Sequence, residues 1–305
     1  MSRYWLLAIG GGLASIVIYT LSAVLPGGII LAYFAVMPLY LVGFSMGLTA
    51  AAAAGATATI GVLIPGGLSA ALIFLFVTAL PAVILVRQAL LSRKDDQGNL
   101  VWYPAGLLVM TLCIVAVVLF SAVSLWLAFQ PEGLEGNVRQ LAEAMAHMLF
   151  GEKSGEIRNL FVERITNVLP SVAVASWLIM NVVNAALAQG LLVRFQRNIR
   201  PSPDIVSMEL PYWFQLAAAT AAATAVGVLM SGSIGLYGTN LAIILAIPFF
   251  FVGLAVVHAL CRNKPGGNIM LVLFYVLLIV FDQLAIIIAA LGLIEQWVGL
   301  RRRFT

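Results

Sequence analysis

The chain has 305 residues, of which 63% are hydrophobic and only 9% charged, and its mean hydropathy is +1.08. A soluble domain carries about a quarter charged residues, so this composition excludes a water-soluble globule and points to a polytopic membrane protein. The net charge of +4 comes from basic residues clustered by loop, which excludes a nucleic-acid-binding face and reads as a topology signal.

Apolar runs are long and unalternating, which excludes a β-barrel. The expected fold is all-α: a transmembrane helix bundle of about nine spans, forming a single membrane domain over 1–305, with an amphipathic helical section on the non-cytoplasmic side. From Tyr4 to Val86 there is no Lys, Arg, Asp, Glu or His. At about 20 residues per span, the stretch 4–91 holds four spans, the first of them uncleaved. Pro26-Gly27-Gly28 ends the first, and Pro38 should kink the second. Pro65-Gly66-Gly67 separates the third from the fourth, where Pro81 is another kink candidate. Gly43, Gly47, Ala51 and Gly55 recur every four residues and leave a flat stripe for close helix packing.

Arg87, Arg93 and Lys94 mark a cytoplasmic loop, and with it a cytoplasmic N-terminus for a chain in the bacterial inner membrane. Asp95-Asp96-Gln97-Gly98-Asn99 is turn chemistry. Trp102 and Tyr103 anchor the start of a fifth span over 104–129. The section 130–168 carries six Glu and four Lys or Arg. Leu134, Val138, Leu141, Met145 and Met148 repeat at three and four, and Ile157, Leu160, Phe161, Ile165 and Val168 restart the pattern beyond Phe150. This describes two amphipathic helices, a docking surface for lipid headgroups or an envelope protein partner.

The remaining spans occupy 169–300. Arg194, Arg197 and Arg200 mark one cytoplasmic end, and Arg262 and Lys264 another. The last apolar stretch, 268–297, is about 45 Å long as one helix, against about 30 Å of hydrocarbon. It is either one tilted helix or two short legs bent near Phe281-Asp282-Gln283. Nine spans from a cytoplasmic start would leave Arg301-Arg302-Arg303 outside, against the positive-inside rule, whereas two legs would return them.

No P-loop, zincin, triad or dinucleotide motif is present, and neither a cofactor nor a metal is implied. Cys113 and Cys261 read as small buried side chains. His147 reads as a solvated residue and His258 as a helix-end residue. Polarity inside apolar runs is the better guide. Asp282 is an acid deep in such a run, with Tyr275 seven residues earlier on the same face. Asn181 and Asn184 sit three apart in the sixth span, followed by Gln189. With Tyr33, Tyr40 and Pro38 they either pin helices together or line a small-molecule cavity. The candidate ligand set is Asp282, Asn181, Asn184, Tyr33 and Tyr275.

Several stretches carry a family likeness. They are Met37-Pro38-Leu39-Tyr40-Leu41-Val42-Gly43, Trp102-Tyr103-Pro104-Ala105-Gly106 and Asn184-Ala185-Ala186-Leu187-Ala188-Gln189. Further on come Arg197-Asn198-Ile199-Arg200-Pro201-Ser202-Pro203-Asp204, Pro248-Phe249-Phe250, Gly253 to Ala259, and Leu291 to Trp297 leading into Leu300-Arg301-Arg302-Arg303. Together they resemble the YybS-like bacterial membrane proteins. That likeness implies a distant similarity to the substrate-binding S components of energy-coupling-factor vitamin transporters and to the rod-shape protein MreD. It therefore implies either small-molecule binding and transport or a scaffold in cell-envelope assembly. It carries no catalytic residues.

Overall fold

The computed structural model describes residues 3–151, 155–227, 232–262, 264–281 and 283–303. The architecture is a bundle of helices, as the composition requires: α1 (Arg3–Val24), α2 (Ile29–Phe34), α3 (Met37–Met46), α4 (Leu48–Phe74), a π-helical turn (Leu75–Ala79), α5 (Leu80–Ala89), α6 (Ala105–Ala128), α7 (Gly133–Phe150), α8 (Gly155–Arg194), α9 (Tyr212–Gly227), α10 (Ser233–Arg262), α11 (Gly267–Val280) and α12 (Leu284–Val298), with a 3-10 turn at Leu300–Arg303. Among the described residues, five helical stretches are long and apolar enough to cross a membrane. The chain divides into two compact units, one of 1–112 with 178–204, the other of 113–177 with 205–305.

In the first unit the packing runs on small residues. Ala50, Ala51, Ala54 and Ala58 of α4 are buried, and a Cβ added at Gly12 of α1 would strike the Ala54 carbonyl. Tyr4 Oη lies 2.7 Å from Thr49 Oγ1, Gly12 faces Thr57, and Gly61 faces Ile16, so α1 and α4 run parallel. Tyr4 Oη donates to the Met46 carbonyl, Gly11 meets Val42 and Ser15 reaches the Ala35 carbonyl, and this descending order makes α3 antiparallel to α1. The continuous helical run 48–89 is two antiparallel legs. Gly67 has φ +70°, and a Cβ at Gly55 would sit 3.4 Å from that of Ala79. Those two residues would be about 36 Å apart in a straight helix, so the chain reverses at Gly67, where Pro65-Gly66-Gly67 was expected to turn it. A left-handed φ suits glycine. The legs 48–66 and 68–89 are about 28 and 33 Å long, each sufficient to cross hydrocarbon.

Two expected kinks take specific forms. Ala35 and Val36 interrupt the helix just ahead of Pro38, which then opens α3. The π turn at Leu75–Ala79 precedes Pro81, which sits in the first turn of α5. The turn expected at 95–99 joins two strands that were not expected, Ser92–Lys94 (β1) and Leu100–Trp102 (β2), in a short antiparallel hairpin. Asp95 Oδ1 accepts the Asn99 and Gln97 amides at 2.7 and 3.0 Å, which closes the hairpin end.

In the second unit α7 folds back on the first turns of α8, burying Ala142, Ala146 and Val162. Leu134 and Val138 pack on Leu236 of α10. No helix break falls at the expected boundary 168/169. The second amphipathic helix and the sixth span form one helix of 40 residues, α8, running through Pro170. The last apolar stretch is broken at Phe281, whose backbone is extended, giving legs of 14 and 15 residues. The leg α12 crosses α10 antiparallel and close: a Cβ at Gly253 would overlap the Ile288 carbonyl, and one at Gly292 the Phe249 carbonyl. Cys113 and Cys261 are both free and buried.

Candidate functional site

The interruption between α2 and α3 leaves backbone carbonyls without helical partners, and the first unit supplies side chains to meet them. Ser15 Oγ of α1 donates to the Ala35 carbonyl at 2.5 Å. Asn184 Nδ2 of α8 donates to the Tyr33 carbonyl at 2.7 Å and to Met180 O, in its own helix, at 2.8 Å. One turn before, Asn181 Oδ1 accepts the Tyr40 hydroxyl at 2.7 Å. Tyr40 and Asn181 are fully buried and Asn184 nearly so. Satisfying buried polar groups in this way is what a water-free interior demands.

One atom of the cluster is left over. Asn184 Oδ1 is buried and has no hydrogen-bond partner. Both hydrogens of its Nδ2 go to carbonyls, so the amide orientation is fixed and the leftover atom is an acceptor. The cluster is neutral, built from two amides, a phenol and the Ser15 hydroxyl. It can hold a polar group by hydrogen bonds. Among the described residues no group of three or more His, Cys, Asp or Glu could hold a metal ion.

The expected ligand set is thus only partly gathered. Asn181, Asn184 and Tyr33 meet in the first unit, with Tyr40 beside them, but Tyr33 contributes its carbonyl to Asn184 while its side chain is partly exposed. Tyr275 belongs to the second unit, where its hydroxyl lies 2.8 Å from His258 Nε2. Asp282 lies outside the described residues.

Other buried polar groups lie at element ends. Arg200 was read as a topology charge, yet it is only 4% exposed. Its guanidinium donates to Ala89 O at the end of α5 (2.8 Å) and to Tyr103 O (3.4 Å), and lies 5.8 Å from the centroid of the Trp102 ring. Its own carbonyl accepts Gln189 Nε2 at 2.7 Å. Burial lowers its pKa below the usual arginine value, and the negative end of α5 helps hold the charge. In the second unit Glu295 and Arg301 form a buried ion pair at 2.8 Å, and Arg301 Nη1 also donates to Val206 O. Gln215 bridges Gln296 and Trp297, each at 3.0 Å. Glu295 and Asn240 were legible by the rule that singled out Asp282 and Asn181, polar residues inside or at the edge of apolar runs.

The likeness to known families is decided at the level of the whole chain. A comparison with protein families matches residues 13–295 to a family described as predicted membrane protein, DUF2232. The chain belongs to this family. Its match begins within α1 at Leu13, takes in α2 to α11 whole and ends within α12 at Glu295. No curated protein and no solved structure matches this DUF2232 member.

Proposed function

We propose that this DUF2232 protein is a small-molecule-binding or transport component of the bacterial inner membrane, akin to the S components of energy-coupling-factor transporters. The observation that carries this reading is the helix interruption at Ala35–Val36 opposed by Asn181 and Asn184, with Asn184 Oδ1 left as a buried acceptor. Membrane transporters form their sites at discontinuous helices, where unwound backbone and a few polar side chains face a ligand. A ligand offering an amide, hydroxyl or amine donor would complete Asn184. The test is thermal stabilisation of the purified protein in nanodiscs by vitamins, amino acids and lipid precursors. A compound whose stabilisation disappears in Asn184→Ala supports the reading. Failure of every class to stabilise the wild-type chain overturns it.

A second reading, a non-transporting scaffold of envelope assembly comparable to MreD, is favoured by one feature. Leu141, Met148 and Leu149 of α7 and Ile157 and Leu160 of α8 are exposed on helices that also carry charge. A photo-crosslinker at Leu141 or Leu160 should then trap a protein partner. Capture of lipid alone removes this alternative.

A further inference from the structure

A proline has no amide hydrogen, and its ring crowds the preceding turn, so an interior proline kinks or breaks a helix. Pro170 does neither to the extent of ending α8. In an uninterrupted helix the Ser171 N–H would bond to the Asn167 carbonyl. Here both atoms meet one side chain from α10. Ser171 N–H donates to Asn240 Oδ1 at 2.8 Å, and Asn240 Nδ2 donates to Asn167 O at 2.9 Å. The second Nδ2 hydrogen goes to Leu236 O at 2.8 Å, one turn back in α10, and that fixes the amide's orientation. Asn240 and Ser171 are fully buried.

We propose that Asn240 latches a proline hinge in α8. The amide is spliced into the helix, standing in for the turn that Pro170 disturbs. The arm of α8 before the proline, 155–169, then takes its position from α10 as well as from the remainder of its own helix. Displacing α10 along its axis breaks both bonds together and frees the arm. Only an amide of this length supplies an acceptor and a donor at once; Asp lacks the donor and Leu lacks both.

Spin labels at Asn159 in the arm and Ile243 in α10, on a chain carrying Cys113→Ala and Cys261→Ala, read the latch directly. Hydrogen exchange across 168–174 reads it independently. The wild-type chain should give a narrow distance distribution. Asn240→Ala should broaden it and speed exchange at Ser171 roughly tenfold, the expected cost of about one hydrogen bond. Pro170→Ala together with Asn240→Ala should return both readouts toward wild type, because the helix then bonds to itself. An unchanged distribution in Asn240→Ala, or no rescue by Pro170→Ala, overturns the proposal. Should Asn240→Ala fail to fold, Asn240→Leu, which fills the same space but lacks both the acceptor and the donor, must still accelerate Ser171 exchange. Wild-type exchange at Ser171 as fast as in loops also overturns it.

Discussion

Two glycines and one arginine show how single residues hold this bundle. Gly253 and Gly292 let α10 and α12 approach until any side chain would meet backbone, and backbone cannot swing aside as a side chain can. Gly292→Leu is therefore expected to cost at least about 3 kcal/mol, the upper range for overpacking. Gly190→Leu, where a Cβ meets nothing within 4 Å, should stay near wild type. Thermal denaturation in detergent compares the two. Arg200 is a different case, because its loss would leave the carbonyls of Ala89 and Tyr103 short of their donor. Arg200→Ala should destabilise by about 2–3 kcal/mol, the range for charged hydrogen bonds. Arg200→Lys should recover part of this, since a lysine brings one charged centre in place of the planar fork.

At the scale of elements, the breaks matter as much as the helices. The reversal at Gly67 requires a left-handed φ, so Gly67→Ala should cost about 1–2 kcal/mol by the same thermal measurement. The 92–102 hairpin depends on Asp95, whose pKa is lowered chiefly by the Asn99 amide. A depressed carboxylate pKa stabilises the folded form at pH values above its unfolded pKa, and that contribution fades as pH falls through the folded value. Amide exchange at Asn99 should therefore quicken, after correction for intrinsic rates, once the pH drops below about 4. Asp95→Asn should abolish that dependence. The hairpin escaped the sequence reading because three-residue strands have too little alternation to register.

At the scale of the whole molecule, the Arg301 contact with Val206 bears on topology. Both residues belong to the second unit, so the chain after α12 and the segment before α9 must lie on one face of the membrane. That segment follows Arg194 and Arg197, whose charge the positive-inside rule would assign to the cytoplasmic face. A reporter fused after Thr305 should thus report the same compartment as one inserted at Ser202, with cytoplasmic activity expected for both. Opposite compartments for the two reporters would refute the assignment.

Composition by itself determined the membrane setting and the all-α architecture, because a chain so poor in charge leaves its backbone nothing to bond with in lipid but itself. Proline and glycine placed the turn at Gly67 and the interruption before Pro38, since both act locally. Tertiary structure alone decided that α8 continues through Pro170, that Arg200 is buried, and that Tyr33 offers a carbonyl. Each depends on a side chain arriving from residues far away along the chain, and such arrivals leave no local periodicity to read.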